Sequence, residues 1–123
     1  LPNRALLSER LSRAIVRARR QNGRVAVLFL DLDRFKDIND SLGHTAGDRI
    51  LRAAAMRLQQ TVGEEQTVAR LGGDEFTVVL ENIVEPADAD HIAREIITAF
   101  EAPLSLDERQ EVVISPSIGI SLY

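Results

Sequence analysis

The stretch TVARLGGDEFTVVL, Thr67 to Leu80, decides the fold. Two short apolar runs, Thr67 to Leu71 and Phe76 to Leu80, flank Gly72-Gly73-Asp74-Glu75. β-Branched residues suit a pleated strand. A Gly-Gly pair between two such runs marks a tight hairpin, because glycine accepts a positive φ without steric penalty. A hairpin at this place needs neighbours to cover its apolar side chains, and the flanking sequence supplies them.

Upstream, Val25 to Leu30 (VAVLFL) is a continuous apolar run, too short for a helix of its own. It predicts a buried central strand. Before it, Leu7, Leu11, Ala14, Ile15 and Ala18 recur at helical spacing, with Asn3 as the expected cap and Gly23 as the expected stop. After it, Asp31 to Gly43 predicts a short polar helix carrying Phe35, Ile38 and Leu42. Thr45-Ala46-Gly47-Asp48 resembles a capping box, opening an amphipathic helix with Ile50, Leu51, Ala54, Leu58 and Val62. Downstream of the hairpin, Pro86 suits the first turn of a helix carrying Ile92, Ala93, Ile96, Ile97 and Phe100, ended by Pro103. Val112 to Ser115 and Ser117 to Leu122 predict one final extended segment interrupted by Pro116. The order is helix, strand, two helices, hairpin, helix, strand. It predicts an α+β fold whose antiparallel-rich sheet is of the ferredoxin-like, split βαβ type, flanked by helices.

The bulk composition limits the function classes. At 123 residues with 45% apolar content the chain forms one domain that can bury a core without staples. The absence of cysteine excludes disulfides, a thiol nucleophile and thiolate metal sites, and fits a reducing, cytoplasmic setting. A net charge of −4 argues against a broad grip on a nucleic-acid polymer. Arg10, Arg13, Arg17, Arg19, Arg20 and Arg24 crowd the first stretch, as the solvated face of a helix or as a docking surface for another domain or an acidic partner. No apolar run approaches the ~20 residues of a membrane span, so no membrane contact is expected of this domain.

Two acidic clusters could do chemistry. Asp31 and Asp33 stand at the exit of the central strand, and Asp74 and Glu75 at the hairpin tip. If that strand pairs beside the hairpin, carboxylates from both clusters meet. Hard oxygen ligands set that way suit Mg²⁺ or Mn²⁺, which keep positions free for phosphate oxygens. Gly72 and Gly73 would let a triphosphate approach the backbone. Taken singly, each cluster also reads as a plain strand exit or hairpin turn. Lys36 could neutralise a phosphate. Asn39 and Asp48 could read a base, since a carboxylate accepts both N1–H and N2–H of guanine. Equally, Asn39 suits a helix end and Asp48 the acid of the capping box. His44 and His91 lie too far apart in sequence to suggest a zinc pair.

Arg70-Leu71-Gly72-Gly73-Asp74-Glu75-Phe76 contains the signature of the GGDEF family of diguanylate cyclases, and the resemblance extends along the chain. Leu1-Pro2-Asn3-Arg4 looks like that family's opening turn. Asp31 to Asp40 and Leu42 to Asp48 resemble its metal- and base-binding stretch, and Ser117-Ile118-Gly119-Ile120 its late strand. The resemblance implies a fold related to nucleotide cyclase and polymerase palm domains. It also implies roles. Asp31 and Asp74, with the Leu32 carbonyl, would hold divalent metal, and Asp74 and Glu75 would be the catalytic pair, Glu75 acting on the attacking 3′-hydroxyl. Gly72 and Gly73 would cradle phosphates, Lys36 would meet them, and Asn39 and Asp48 would hydrogen-bond guanine. The implied reaction condenses two GTP into cyclic diguanylate and two pyrophosphates, which requires a second GGDEF domain as homodimer partner. Sensor or phosphodiesterase domains are the expected neighbours in a parent chain that can be membrane-anchored. The alternatives are a catalytically silent GTP-binding regulatory module and a purely structural dimerisation module.

Two departures from the family pattern stand out. Where members with product inhibition carry Arg-x-x-Asp, this chain has Gly63-Glu64-Glu65-Gln66, so no cyclic diguanylate is expected to bind there. The family also continues into a further helix and strand bearing a phosphate-gripping lysine and arginine. Residues 1–123 therefore read as a domain truncated at both ends, with the C-terminal helix and strand missing.

Overall fold

A computed structural model describes residues 3–123. The Leu1-Pro2 half of the opening turn lies outside the described residues. Helix α1 (Arg4–Arg20) leads into strand β1 (Arg24–Leu32), then helices α2 (Phe35–Leu42) and α3 (His44–Val62). Strands β2 (Thr67–Gly72) and β3 (Glu75–Ile83) form the hairpin, followed by α4 (Pro86–Ala99), the short strands β4 (Leu104–Ser105) and β5 (Glu111–Val112), and β6 (Pro116–Leu122).

The main sheet has the order β2-β3-β1-β6, every neighbouring pair antiparallel. Both helical connections, β1 through α2 and α3 to β2 and β3 through α4 to β6, pass over one intervening strand. This is the split βαβ arrangement predicted from the element order. β1 is central: Leu28 pairs with Val78 of β3 on one side and Ile120 of β6 on the other.

Strand alternation divides the core in two. Ala26, Leu28, Leu30 and Leu32 of β1 join Phe76, Val78 and Leu80 of β3 against α3 and α4, where Ile50, Ala54, Leu58, Ala93 and Ile96 are buried. Val25, Ala69 and Val79 face the other way, under Leu7 and Ala14 of α1. α1 covers only the half of that face nearest the start of β1. Further along the same face Phe29 is 49% exposed.

Three local expectations are corrected. Thr45 does not cap α3. The helix begins at His44 behind Gly43 (φ +94°), whose carbonyl already accepts from the Gly47 N–H at 3.0 Å, so Thr45 and Asp48 lie inside the first turns. Gly23 does not itself stop α1: Asn22 takes the left-handed turn (φ 54°), and the Gly23 N–H closes onto the Ala18 carbonyl at 2.8 Å. The last extended segment is two strands in two sheets. β5 pairs with β4 in a separate hairpin, and Pro116 opens β6, a strand start being where its missing N–H costs no ladder bond. Asn3 does cap α1, its side chain accepting from the Leu6 N–H at 2.9 Å. At α4 the cap is Glu85, and Asp88 accepts from the backbone N–H groups of Val84 (3.1 Å) and Glu85 (2.9 Å).

The end of α4 is held by one side chain. Arg57 of α3 donates to the carbonyls of Ala99 (3.1 Å), Ala102 and Pro103 (2.9 Å), with its guanidinium 5.8 Å from the centre of the Phe100 ring. These carbonyls lie at and just beyond the helix C-terminus, where a cation is also favoured by the helix dipole. Arg57→Ala is expected to cost about 1.5–3 kcal/mol, from losing charge-assisted bonds to carbonyls that then lack partners. Arg57→Lys should recover only part of this, because an ammonium cannot reproduce the planar fork. Urea melts of the three proteins check it.

Candidate active site

The C-terminal end of β1 and the tip of the β2–β3 hairpin meet at one edge of the sheet. Asp31 is the direct partner of Glu75 in the β1–β3 ladder, and one residue on, the Leu32 N–H donates to the Asp74 carbonyl at 3.4 Å. In an extended strand the N–H and C=O of one residue lie along the same edge, so the Leu32 carbonyl is also turned toward the hairpin. The structure thus brings Asp31, Leu32, Asp74 and Glu75 together from segments distant in sequence.

The electrostatics register that meeting. Asp31 is held above the ordinary carboxylate value. Partial loss of water is the largest cause, followed by the negative charge of Asp74, a hydrogen bond to Asp74 that only the protonated form can donate, and the charges of Glu75 and Asp33. The fold therefore favours the neutral form of Asp31. It gains stability from that group at acidic pH and loses it as pH rises through the raised value. Asp31→Asn should accordingly raise the melting temperature at pH 7 in EDTA. That gain should vanish below about pH 4, where wild-type Asp31 is itself protonated; paired thermal melts at the two pH values test it.

The hairpin tip is built for close approach. Gly73 has φ +52° and Gly72 φ +152°, and a β-carbon added at either would meet nothing within 4 Å. The turn thus presents bare backbone to open space beside the carboxylates. Arg70, which the sequence reading left without a role, donates to the Gly73 carbonyl at 3.2 Å and ties the tip back to β2. On the α1 face, an open cavity of about 260 Å³ adjoins the acidic group, lined by Phe29, Asp31, Glu75 and Thr77 among others.

Asp33 is directed elsewhere. The Ser117 hydroxyl of β6 donates to its carboxylate at 2.6 Å, and the Asp33 N–H donates to the Ser115 carbonyl at 2.9 Å. Arg34 takes the left-handed turn (φ 60°) that starts α2, placing Lys36 in its first turn, exposed and without a salt bridge among the described residues.

Asn39 of α2 meets the first turns of α3 at Gly47, the residue before Asp48. The Asn39 carbonyl accepts from the Gly43 N–H at 2.8 Å, its amide nitrogen lies 3.4 Å from His44 Nδ1, and its amide oxygen rests over Gly47. Asp48 is exposed and free of the capping duty expected of it. His91 pairs with Glu95 on α4 at 2.9 Å. Among the described residues no group of three or more His, Asp or Glu side chains is set to hold a metal ion. The oxygen donors at the sheet edge are two carboxylates, Asp31 and Asp74, and one carbonyl. No helix among the described residues is long and apolar enough to cross a membrane.

The family profile described as diguanylate cyclase, GGDEF domain, matches residues 1–123. The chain is 50% identical over 123 residues to the diguanylate cyclase TpbB of Pseudomonas aeruginosa, covering all of this chain and 28% of that protein. It is 49% identical to the bifunctional diguanylate cyclase/cyclic di-GMP phosphodiesterase MucR of the same organism, covering 18% of it. The chain thus spans under a third of the length of these curated relatives. The crystal structure of the GGDEF domain of YfiN or TpbB superposes with a TM-score of 0.95 at 50% identity, over all of this chain and 76% of that one. The hairpin that decides the fold therefore also carries the family signature, and the chain belongs to the GGDEF domain family of diguanylate cyclases.

Proposed function

We propose that this domain binds GTP and, facing a second copy, condenses two GTP into cyclic diguanylate and two pyrophosphates. Each 3′-hydroxyl attacks the α-phosphate of the other nucleotide. One P–O bond forms and one breaks at each phosphorus, and the hydroxyl proton leaves to a base. The observation that carries this reading is the convergence of Asp31, Asp74 and Glu75 on a hairpin tip whose glycines leave room for phosphates.

Glu75, exposed beside Asp31, accepts or orients the proton of the attacking hydroxyl. Gly72 and Gly73 offer backbone to the phosphates, and Lys36 adds a positive charge from α2. Asn39 and Asp48 bind the guanine at the helix junction. Mg²⁺ or Mn²⁺ fits the donors available: Asp31, Asp74 and the Leu32 carbonyl are hard oxygens, and the mutual repulsion that raises Asp31 is what a divalent cation relieves. When bound, such a cation lowers the pKa of the hydroxyl and offsets charge on the leaving pyrophosphate. Where family members with product inhibition carry Arg-x-x-Asp, the Gln66 amide oxygen accepts from the Glu81 N–H of β3 at 2.8 Å, which supports the reading that product does not bind there.

A second reading is favoured by the kinship with MucR, whose name joins cyclase and phosphodiesterase: a GTP-binding module without turnover beside a phosphodiesterase domain. The test is to incubate the full protein carrying this domain with GTP and Mg²⁺, separate the products by chromatography, and follow melting with and without nucleotide. Cyclic diguanylate from a dimer supports the cyclase. A nucleotide-dependent rise in melting temperature with no dinucleotide from a confirmed dimer leaves the silent module. No rise at all removes both.

A further inference from the structure

We propose that Gly47 is a positioning residue for base selection: the space left by its missing side chain is where the Asn39 amide sits, and that placement sets the preference for guanine. This inference rests on the reading of Asn39 and Asp48 as the guanine site.

Gly47 is buried in the first turns of α3, with an ordinary helical backbone that requires no glycine. Glycine is a poorer helix residue than alanine, so the local sequence gains nothing from it. The reason lies across the junction. A β-carbon built at Gly47 would lie 1.8 Å from Asn39 Oδ1 and 2.8 Å from its Cγ, but 3.5 Å from its Cβ. The first two distances are impossible and the third is ordinary contact. An alanine at this position leaves the Asn39 backbone and Cβ undisturbed and expels only the amide.

The Asn39 amide has one other neighbour, His44, whose Nδ1 lies 3.4 Å from its nitrogen, while the residue's backbone is fixed separately by its carbonyl accepting from the Gly43 N–H at 2.8 Å. The amide so placed, against the residue before Asp48, offers a donor and an acceptor, while the Asp48 carboxylate only accepts when charged. A 2-amino-6-oxopurine carries neighbouring N1–H and 2-amino donors and a carbonyl acceptor, whereas adenine has an acceptor at N1, no 2-amino group and no carbonyl. Turning the amide out of its place removes one of the two partners that distinguish these bases.

The displaced atoms are the end of a flexible side chain, so the fold should tolerate Gly47→Ala while recognition does not. In the full protein, equilibrium affinities for GTP and ATP and the melting temperature are measured for wild type, Gly47→Ala, Asn39→Ala and the double variant. The expected result is a wild-type or higher melting temperature for Gly47→Ala, with the GTP-over-ATP preference reduced about tenfold, the worth of roughly one hydrogen bond. Asn39→Ala should lose as much, and the double variant no more than either alone, because once the amide is gone the added methyl displaces nothing. Gly47→Ala with undiminished preference, where Asn39→Ala has lost it, overturns the inference and leaves the guanine site standing. An equal fall in melting temperature for Gly47→Ala in both backgrounds also overturns it, since the glycine then serves the helix alone. A wild type that binds GTP no better than ATP overturns the guanine-site reading instead.

Discussion

Replacing Glu75 by Gln is expected to lower cyclic diguanylate formation by at least about a hundredfold while GTP affinity and melting temperature stay near wild type. Glu75 opens β3 as an exposed residue whose cross-strand partner is Asp31. The amide matches the carboxylate in shape but takes up no proton at neutral pH, and proton transfer by a positioned group contributes typically ~10²–10⁴ in rate. The fold should not suffer: an exposed substitution away from the core stays within about 0.5 kcal/mol. It also removes one of the charges that act on Asp31. Chromatography of the products, with GTP binding and melting on the same samples, is the measurement. More than a tenth of the wild-type rate in the Gln variant would show that Glu75 does not handle the proton.

Phe76→Ala, one residue further along the same strand, is expected to do the reverse: it removes about 3–5 kcal/mol of stability. Phe76 is 1% exposed, paired with Leu30 on the face that packs against α3 and α4. Truncation loses the transfer energy of the ring and leaves a cavity between sheet and helices. For a domain of this size the melting temperature should fall on the order of 10–20 °C. The control is Phe29→Ser. Phe29 is also an aromatic residue in a core strand, but it lies beyond the cover of α1, and its replacement should change stability by less than about 1 kcal/mol. Similar losses for the two variants would mean that the open half of the sheet is covered in solution.

The elements were legible because periodicity is local. Ile50, Leu51, Ala54, Leu58 and Val62 repeat at helical spacing and are all buried in α3, and the run Val25 to Leu30 is the heart of the central strand. The hairpin was legible from its glycines. β4 and β5 were not, because in two-residue strands the two-residue alternation never repeats, and their hairpin is closed by Asp107, which accepts from the Arg109 and Gln110 N–H groups and pairs with Arg49 on α3.

By itself the sequence determined the order of the helices and of the main-sheet strands, the split βαβ class and the signature that names the family, since each depends on neighbours along the chain. Only the tertiary structure decided that Asp31 faces Glu75 while Asp33 turns to Ser117, that Phe76 is core and Phe29 is not, and that Gly47 makes room for Asn39. The physical reason is one of range. Alternation fixes which residues share a face of a strand, but whether that face is covered, and which side chain from another segment meets it, depends on where α1 ends and how β1, β3 and β6 pair.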